Sequence, residues 1–200
     1  MELCLCYNWL LIKTYSCRMC LMIDKKKLEE KFIAHNFTDF KWIDPLKFVT
    51  AQWVRMKCMF GCDEYGQTAT CPPNAPSISE CERFFSEYKE AVVFHFEKKV
   101  DKPEDRFNWT RKTNLKLLKL ETEIFVSGYE KAFLLFMDSC NICKECPGTK
   151  ENCIEPKMSR PTPEAMCIDV YSTMRQADYP IHVLSDYAQK MNRYAFLLIE

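Results

Sequence analysis

Cys140, Cys143 and Cys146 follow one another at two-residue gaps, and Cys153 and Pro156 close the run. Gaps this short let one loop turn several thiolates toward different irons of a cubane. Ferredoxin-type ligation uses a similar run, with three residues before the last cysteine and proline directly after it. Here the last gap is six residues, and Pro147-Gly148 supplies a turn that can return the chain. The pattern predicts a [4Fe-4S] cluster on Cys140, Cys143, Cys146 and Cys153. Tetrahedral zinc is the alternative, although Zn–Cys4 sites usually draw on two CxxC pairs separated by a longer segment.

A second group, Cys58, Cys62 and Cys71, has gaps of three and eight residues, with Gly61 and Gly66 for turns and Pro72-Pro73 behind it. Three thiolates on a cluster leave one iron open to a substrate, a sulfide or water. Such a cluster works as a Lewis acid or sulfur carrier rather than as a wire. Cys81 and His95 are the candidates for a fourth ligand. Each also has an ordinary reading, as a buried helix cysteine and a satisfied core histidine. The group as a whole can equally be read as reduced, buried thiols without metal.

The chain as a whole sets bounds on these readings. Thirteen cysteines in 200 residues would suggest disulfides in a short secreted protein, but this chain has 48% apolar residues and an odd cysteine count. Metal chemistry in a reducing cytoplasm is the better expectation. Lys+Arg and Asp+Glu balance at 28 each, so no global field recruits nucleic acid or an anionic membrane. Neither GxGxxG nor GxxxxGK[ST] occurs, and no HExxH or Ser–His–Asp order supports a hydrolase. The first 21 residues hold an apolar run too short to span a bilayer and lack the flanks of a signal peptide. They read as a mis-assigned or disordered extension, with Met19 or Met22 the start, and residues 22–200 as one metal-binding domain.

The elements that must position the cysteines follow from periodicity. Residues 25–36 predict a helix, 40–56 extended segments broken at Pro45, and 58–71 a loop. Ser77-Ile-Ser-Glu80 predicts a capping box opening a helix to about residue 88. Residues 91–96 and 132–137 predict buried strands, joined by a helix over 104–127 that Gly128 stops. Strand, helix, strand in that order predicts a parallel pair. A helix is expected over 163–174, with strands at 180–184 and 194–199. The fold class is α/β or α+β: one layered domain, a mixed sheet with helices on it, and two cysteine-rich loops beside it.

With both groups in view, the chain resembles a prokaryotic family known as a domain of unknown function and described as a predicted metal-binding protein. The likeness runs from about Trp53 to Glu200. It rests on Lys57-Cys58, Cys62, Tyr65-Gly66, Cys71-Pro72-Pro73, Gly128-Tyr129, Lys131-Ala132, the four later cysteines with Pro156, Arg160 to Ala165 and Ile168-Asp169-Val170. Two departures stand out: Met137-Asp138-Ser139 replaces a glycine-rich approach to the second group, and Cys167 stands where glycine is expected. Cys167 could offer an extra thiolate. The resemblance implies metal binding but no particular reaction.

Just past the second group lie Arg160, Glu164 and Asp169. Arg160 and Asp169 are expected to support a cluster from behind its ligands, with Arg160 balancing negative charge. An Arg160–Glu164 helix pair is the ordinary alternative. The functional expectation is an iron–sulfur protein in electron transfer or redox metabolism. An iron–sulfur enzyme with an open three-cysteine site and a zinc interaction module are the competing readings. The partner is a redox protein or a small-molecule substrate, with neither nucleic acid nor membrane expected.

Overall fold

A computed structural model describes residues 23–186 and 189–200; residues 1–22, and with them the expectation for the extension, lie outside it. The chain runs α1 (Lys25–Ala34), β1 (Phe40–Ile43), a 3-10 turn (Pro45–Lys47), α2 (Gln52–Gly61), α3 (Ile78–Ser86), β2 (Ala91–Lys98), α4 (Pro103–Val126), β3 (Phe133–Leu135), α5 (Val170–Gln176) and β4 (Met191–Leu198). This is an α+β fold built on one four-stranded sheet.

The sheet order is β1-β2-β4-β3, and all three pairings are antiparallel rather than mixed. β2 and β3 do run in the same direction with α4 crossing between them, as the pattern predicts. They are not neighbours, because β4 enters between them and pairs Val92 with Leu197 and Leu134 with Leu197. The direction was legible from the crossover; the occupant of the central slot, some 60 residues later in the chain, was not.

Helices cover both faces. Val92, Phe94, Ala195, Leu197 and Leu134 meet Leu28 and Phe32 of α1 and Leu117, Leu120 and Ile124 of α4. Ala91, Val93, Phe196, Leu198 and Leu135 meet Cys81 and Phe85 of α3, Ile168, and Met174 of α5. Two covered faces explain why β2 reads as an unbroken apolar run although its pairing is antiparallel, where one wet face is common. Edge-to-face rings lock the layers together, with Phe32–Phe94 at 5.1 Å and Phe48–Phe196 at 5.2 Å. Ser77 and Glu80 form the predicted capping box on α3.

Three local expectations give way. Residues 52–61 are helical, because an amphipathic placement buries Val54 while Trp53, Met56 and Phe60 turn outward. The helix expected over 163–174 is broken at Cys167, whose φ of 61° is left-handed. The 163–166 turn ends there, with the Ile168 N–H donating to the Pro163 carbonyl at 2.9 Å, and Asp169 then starts α5 afresh. A left-handed residue is also the reason glycine would be expected at this position. Residues 180–184 form no strand.

Candidate metal centre

The second cysteine group occupies part of a long stretch, 136–169, that contains neither helix nor strand. Structureless stretches of this length in a compact domain usually carry function. α4 holds its entrance: Arg111 donates from Nε and Nη2 to the Ile142 carbonyl at 3.1 and 2.9 Å. Asn141 Nδ2 donates to the Phe107 carbonyl and to Thr110 Oγ1. All four thiols, Cys140, Cys143, Cys146 and Cys153, line one narrow hollow, shared with Ala69, Ile142 and Glu155. Burial raises the Cys140 thiol, opposed by the backbone N–H groups of Ile142 and Arg160. Cys143 is raised too, by desolvation and then by the charges of Cys153 and Glu155.

Cys58 lies on α2 rather than in a loop, Cys62 caps that helix, and Cys71 sits in the turn beyond. All three line a cavity of about 910 Å³. Across it stand Arg106 and Asp138, Glu164, and Arg193 of β4. Burial and the neighbouring Cys62 raise the Cys58 thiol, and burial pushes Cys71 up to about 11. The Thr68 side chain bears on the Cys71 thiol and tempers that rise, while Thr70, the residue before Cys71, keeps a buried hydroxyl without a hydrogen-bond partner. Glu164 is exposed to the cavity yet ringed by protein, and that desolvation raises its carboxyl.

The two cysteine groups touch through glycine. Asn74 Nδ2 donates to the Gly148 carbonyl at 2.8 Å and to the Thr68 carbonyl at 3.2 Å, bridging the loops. Gly148 has a φ of 80°, and a Cβ there would stand 3.3 Å from the Gly66 carbonyl oxygen. Gly148→Ala is therefore expected to cost about 1–3 kcal/mol, the left-handed strain plus displacement of the Gly66 segment. Gly66→Ala, with φ 72° and only Pro73 Cδ at 3.9 Å, carries the strain alone. Urea unfolding of the two variants checks this: equal losses would mean that the loop contact contributes nothing.

Several expected residues are used differently. Arg160 turns its side chain away from the cysteines and grips Glu121 of α4 with two bonds of 2.9 Å, so no Arg160–Glu164 pair forms. Its backbone N–H is what faces Cys140. Asp169 lines the large cavity, but its carboxylate caps α5 by accepting from the Ser172 N–H at 3.0 Å. His95 commits both ring nitrogens, at 2.6 Å to Asp39 and 2.8 Å to Asn192. Cys81 and Cys167 are fully buried and do not line the cavity. Cys167 is drawn below the usual thiol range by a hydrogen bond from Cys81 and by Arg55, whose Nη2 lies 3.1 Å from its sulfur.

Arg55 is the positioning residue that sequence reasoning missed. It ties α2 to the Pro76 and Ala165 carbonyls at 2.6 and 3.0 Å, and so fixes Cys58 one helical turn on. Its place three residues before Cys58 is the only trace in the sequence.

Among the described residues, no three His, Cys, Asp or Glu side chains converge as a ready cage for a single ion. A lone zinc would need four sulfurs about 2.3 Å from one point, and hence within roughly 3.8 Å of one another. A cubane takes each thiolate on a different iron, and so suits a thiol-only set spread around a hollow. The unpartnered Thr70 hydroxyl beside Cys71 is also the kind of donor that cluster sulfides accept from. The thiol-only donors of both groups are of the type that an iron–sulfur cluster takes, and zinc takes thiolates too.

Fold and site together define a cysteine-rich α+β metal-binding protein. Residues 41–199 match the family described as predicted metal-binding protein (DUF2284), and the chain belongs to that family. Neither a curated protein nor a solved structure matches it. Among the described residues, no helix is long and apolar enough to cross a membrane.

Proposed function

We propose that this chain is a cytoplasmic iron–sulfur redox protein that acts on a small molecule, with electrons relayed between its two cysteine groups. The observation that carries this is the opening of Cys58, Cys62 and Cys71 onto a cavity of about 910 Å³ while the four-thiol loop abuts them through Gly148. A cavity of that volume lies within the usual range for small-molecule sites. Cys140, Cys143, Cys146 and Cys153 would hold a fully ligated [4Fe-4S] cluster. Cys58, Cys62 and Cys71 would hold a second with one position left for a ligand from the cavity. Bound there, the clusters supply one-electron transfer and, at the three-thiolate site, Lewis acidity.

The chain's own residues do the rest. Arg55 holds α2 so that Cys58 faces the cavity, Asn74 keeps the two loops together, and Trp53 and Met137 line the cavity with apolar surface. Simple electron transfer without a substrate is the second reading, favoured by the compactness of the four-thiol loop. A redox protein would be its partner.

Iron, zinc and acid-labile sulfide per chain, measured on protein purified without oxygen, test this directly. About eight irons and eight sulfides are expected. Cys62→Ala should lower both to about four and leave the spectrum of the second site intact, including its bleaching by dithionite. Zinc without sulfide would sink the iron–sulfur reading, and an unchanged iron count in Cys62→Ala would remove the open site.

A further inference from the structure

Four cations line the large cavity: Lys57, Arg106, Arg175 and Arg193. They face four acids, Glu64, Asp138, Glu164 and Asp169. The balance gives no broad field for a polyanion, so recognition there has to be local. Most of these charges are already engaged. Asp169 caps α5, and Arg175 is exposed and lies over the Tyr171 ring. Arg106 Nε is 3.0 Å from Asp138 Oδ2, an ion pair whose angle does not make it a hydrogen bond.

Arg193 is different. It is half-buried at the start of β4 and its Nε is sealed from solvent without a hydrogen-bond partner; among the described residues no ion pair forms on it, and Glu164 is the carboxylate that feels its charge. The sheet sets this up. β3 and β4 pair Phe133 with Leu198 and Leu135 with Phe196, and the same register carried on beyond β3 brings Asp138 level with Arg193. Asp138 nevertheless turns to Arg106. Two guanidinium groups with unsatisfied Nε atoms thus line one wall of the cavity that the three thiols also line. A half-buried guanidinium without an acceptor is costly, and a planar carboxylate is the group that its forked donors match.

We propose that the cavity takes a small organic monocarboxylate, its carboxylate seated on Arg193 and its remaining carbon skeleton extending over the apolar lining toward Cys58, Cys62 and Cys71. This deepens the small-molecule reading above and rests on it. The even charge balance excludes nucleotides and polyphosphates, and Trp53, Val54, Met137 and Ile168 give the carbon skeleton apolar surface. Lys57 is exposed and serves as a peripheral charge rather than a seat.

Calorimetric titration of the anaerobically purified, metal-loaded protein with butyrate and with its neutral isostere butyramide tests the proposal. Saturable binding of butyrate is expected, with butyramide at least tenfold weaker, since a charge-assisted bidentate pair is lost. Arg193→Gln should weaken butyrate about tenfold or more and leave butyramide unchanged, while Arg175→Gln should leave both unchanged. Equal binding of acid and amide, no saturable binding of butyrate, or wild-type affinity in Arg193→Gln would each overturn it. The acid–amide comparison needs no variant, so a misfolded Arg193→Gln would not protect the idea. Repeating the titration on Cys62→Ala separates the two readings. Retained preference for the acid together with a wild-type iron count in Cys62→Ala sinks the metal reading alone. The expected loss of iron in Cys62→Ala with no preference for the acid in either protein sinks this one alone.

Discussion

With the proposed clusters in place, replacing Cys143 with alanine is expected to remove about four irons and four sulfides per chain from the second site and to leave the first site loaded. It is also expected to make residues 140–159 the first point of proteolysis. Both effects have one origin. The stretch from 136 to 169 has neither helix nor strand, and its order comes from a few anchors: Arg111 to Ile142, Asn141 to Thr110, and Asn74 to Gly148. Desolvation raises both Cys140 and Cys143, so without metal these thiols hold their protons. Metal binding releases those protons and couples the binding free energy to the order of the loop. Iron and sulfide analysis beside limited trypsin digestion under nitrogen checks both halves. Unchanged iron would show that Cys143 is no ligand, and unchanged cleavage would show that the loop is ordered by its protein anchors alone.

Arg160→Leu should destabilise the fold by about 3–5 kcal/mol, the usual cost of removing one partner from a buried pair. Glu121 has a side chain only 5% exposed, and it receives both Arg160 and the Leu134 N–H, the latter at 2.9 Å. Without Arg160 its charge would stay buried beside β3 with one backbone donor to satisfy it. Glu121→Gln should cost less, since the amide oxygen can still accept from Leu134 and no anion is left behind. Replacing both residues should cost less than the sum of the two single changes, because the stranded charge disappears. Urea midpoints of the four proteins decide it; a loss below about 1 kcal/mol for Arg160→Leu would mean the pair is effectively solvated. Arg160 thus bears on the four-thiol loop through its backbone N–H at Cys140 and by pinning the loop's far end to α4.

Much of the local structure could be read directly. The capping box at Ser77 and Glu80, the helix ended by Gly128 (φ 106°) and the apolar run of β2 depend on neighbours within four or five residues. The four-thiol group was legible for the same reason: all its sulfurs sit on one short loop, so spacing alone brings them to one hollow. The helix at residues 52–61 was misread because Trp53 and Val54 carry the apolar weight of an extended segment, while the cysteines and glycines from Cys58 onward read as loop. Of the two, only Val54 is buried, at helical spacing from the partly buried Cys58. Cys167 broke a helix that its neighbours favour, since left-handed backbone is set by the turn it closes and not by its own preference.

By itself, then, the sequence determined which segments are helix and strand across most of the chain and that the second cysteine group gathers on one loop. Tertiary structure alone decided the rest. It placed β4 between β2 and β3, turned Arg160 to Glu121 instead of Glu164, and brought Cys58, Glu164 and Arg193 to one cavity from positions over 130 residues apart. The physical reason lies in range. Capping, periodicity and ligand spacing are energies between close neighbours in the chain. Strand order, buried ion pairs and cavity walls depend on which apolar faces and unpaired polar groups meet once the layers close.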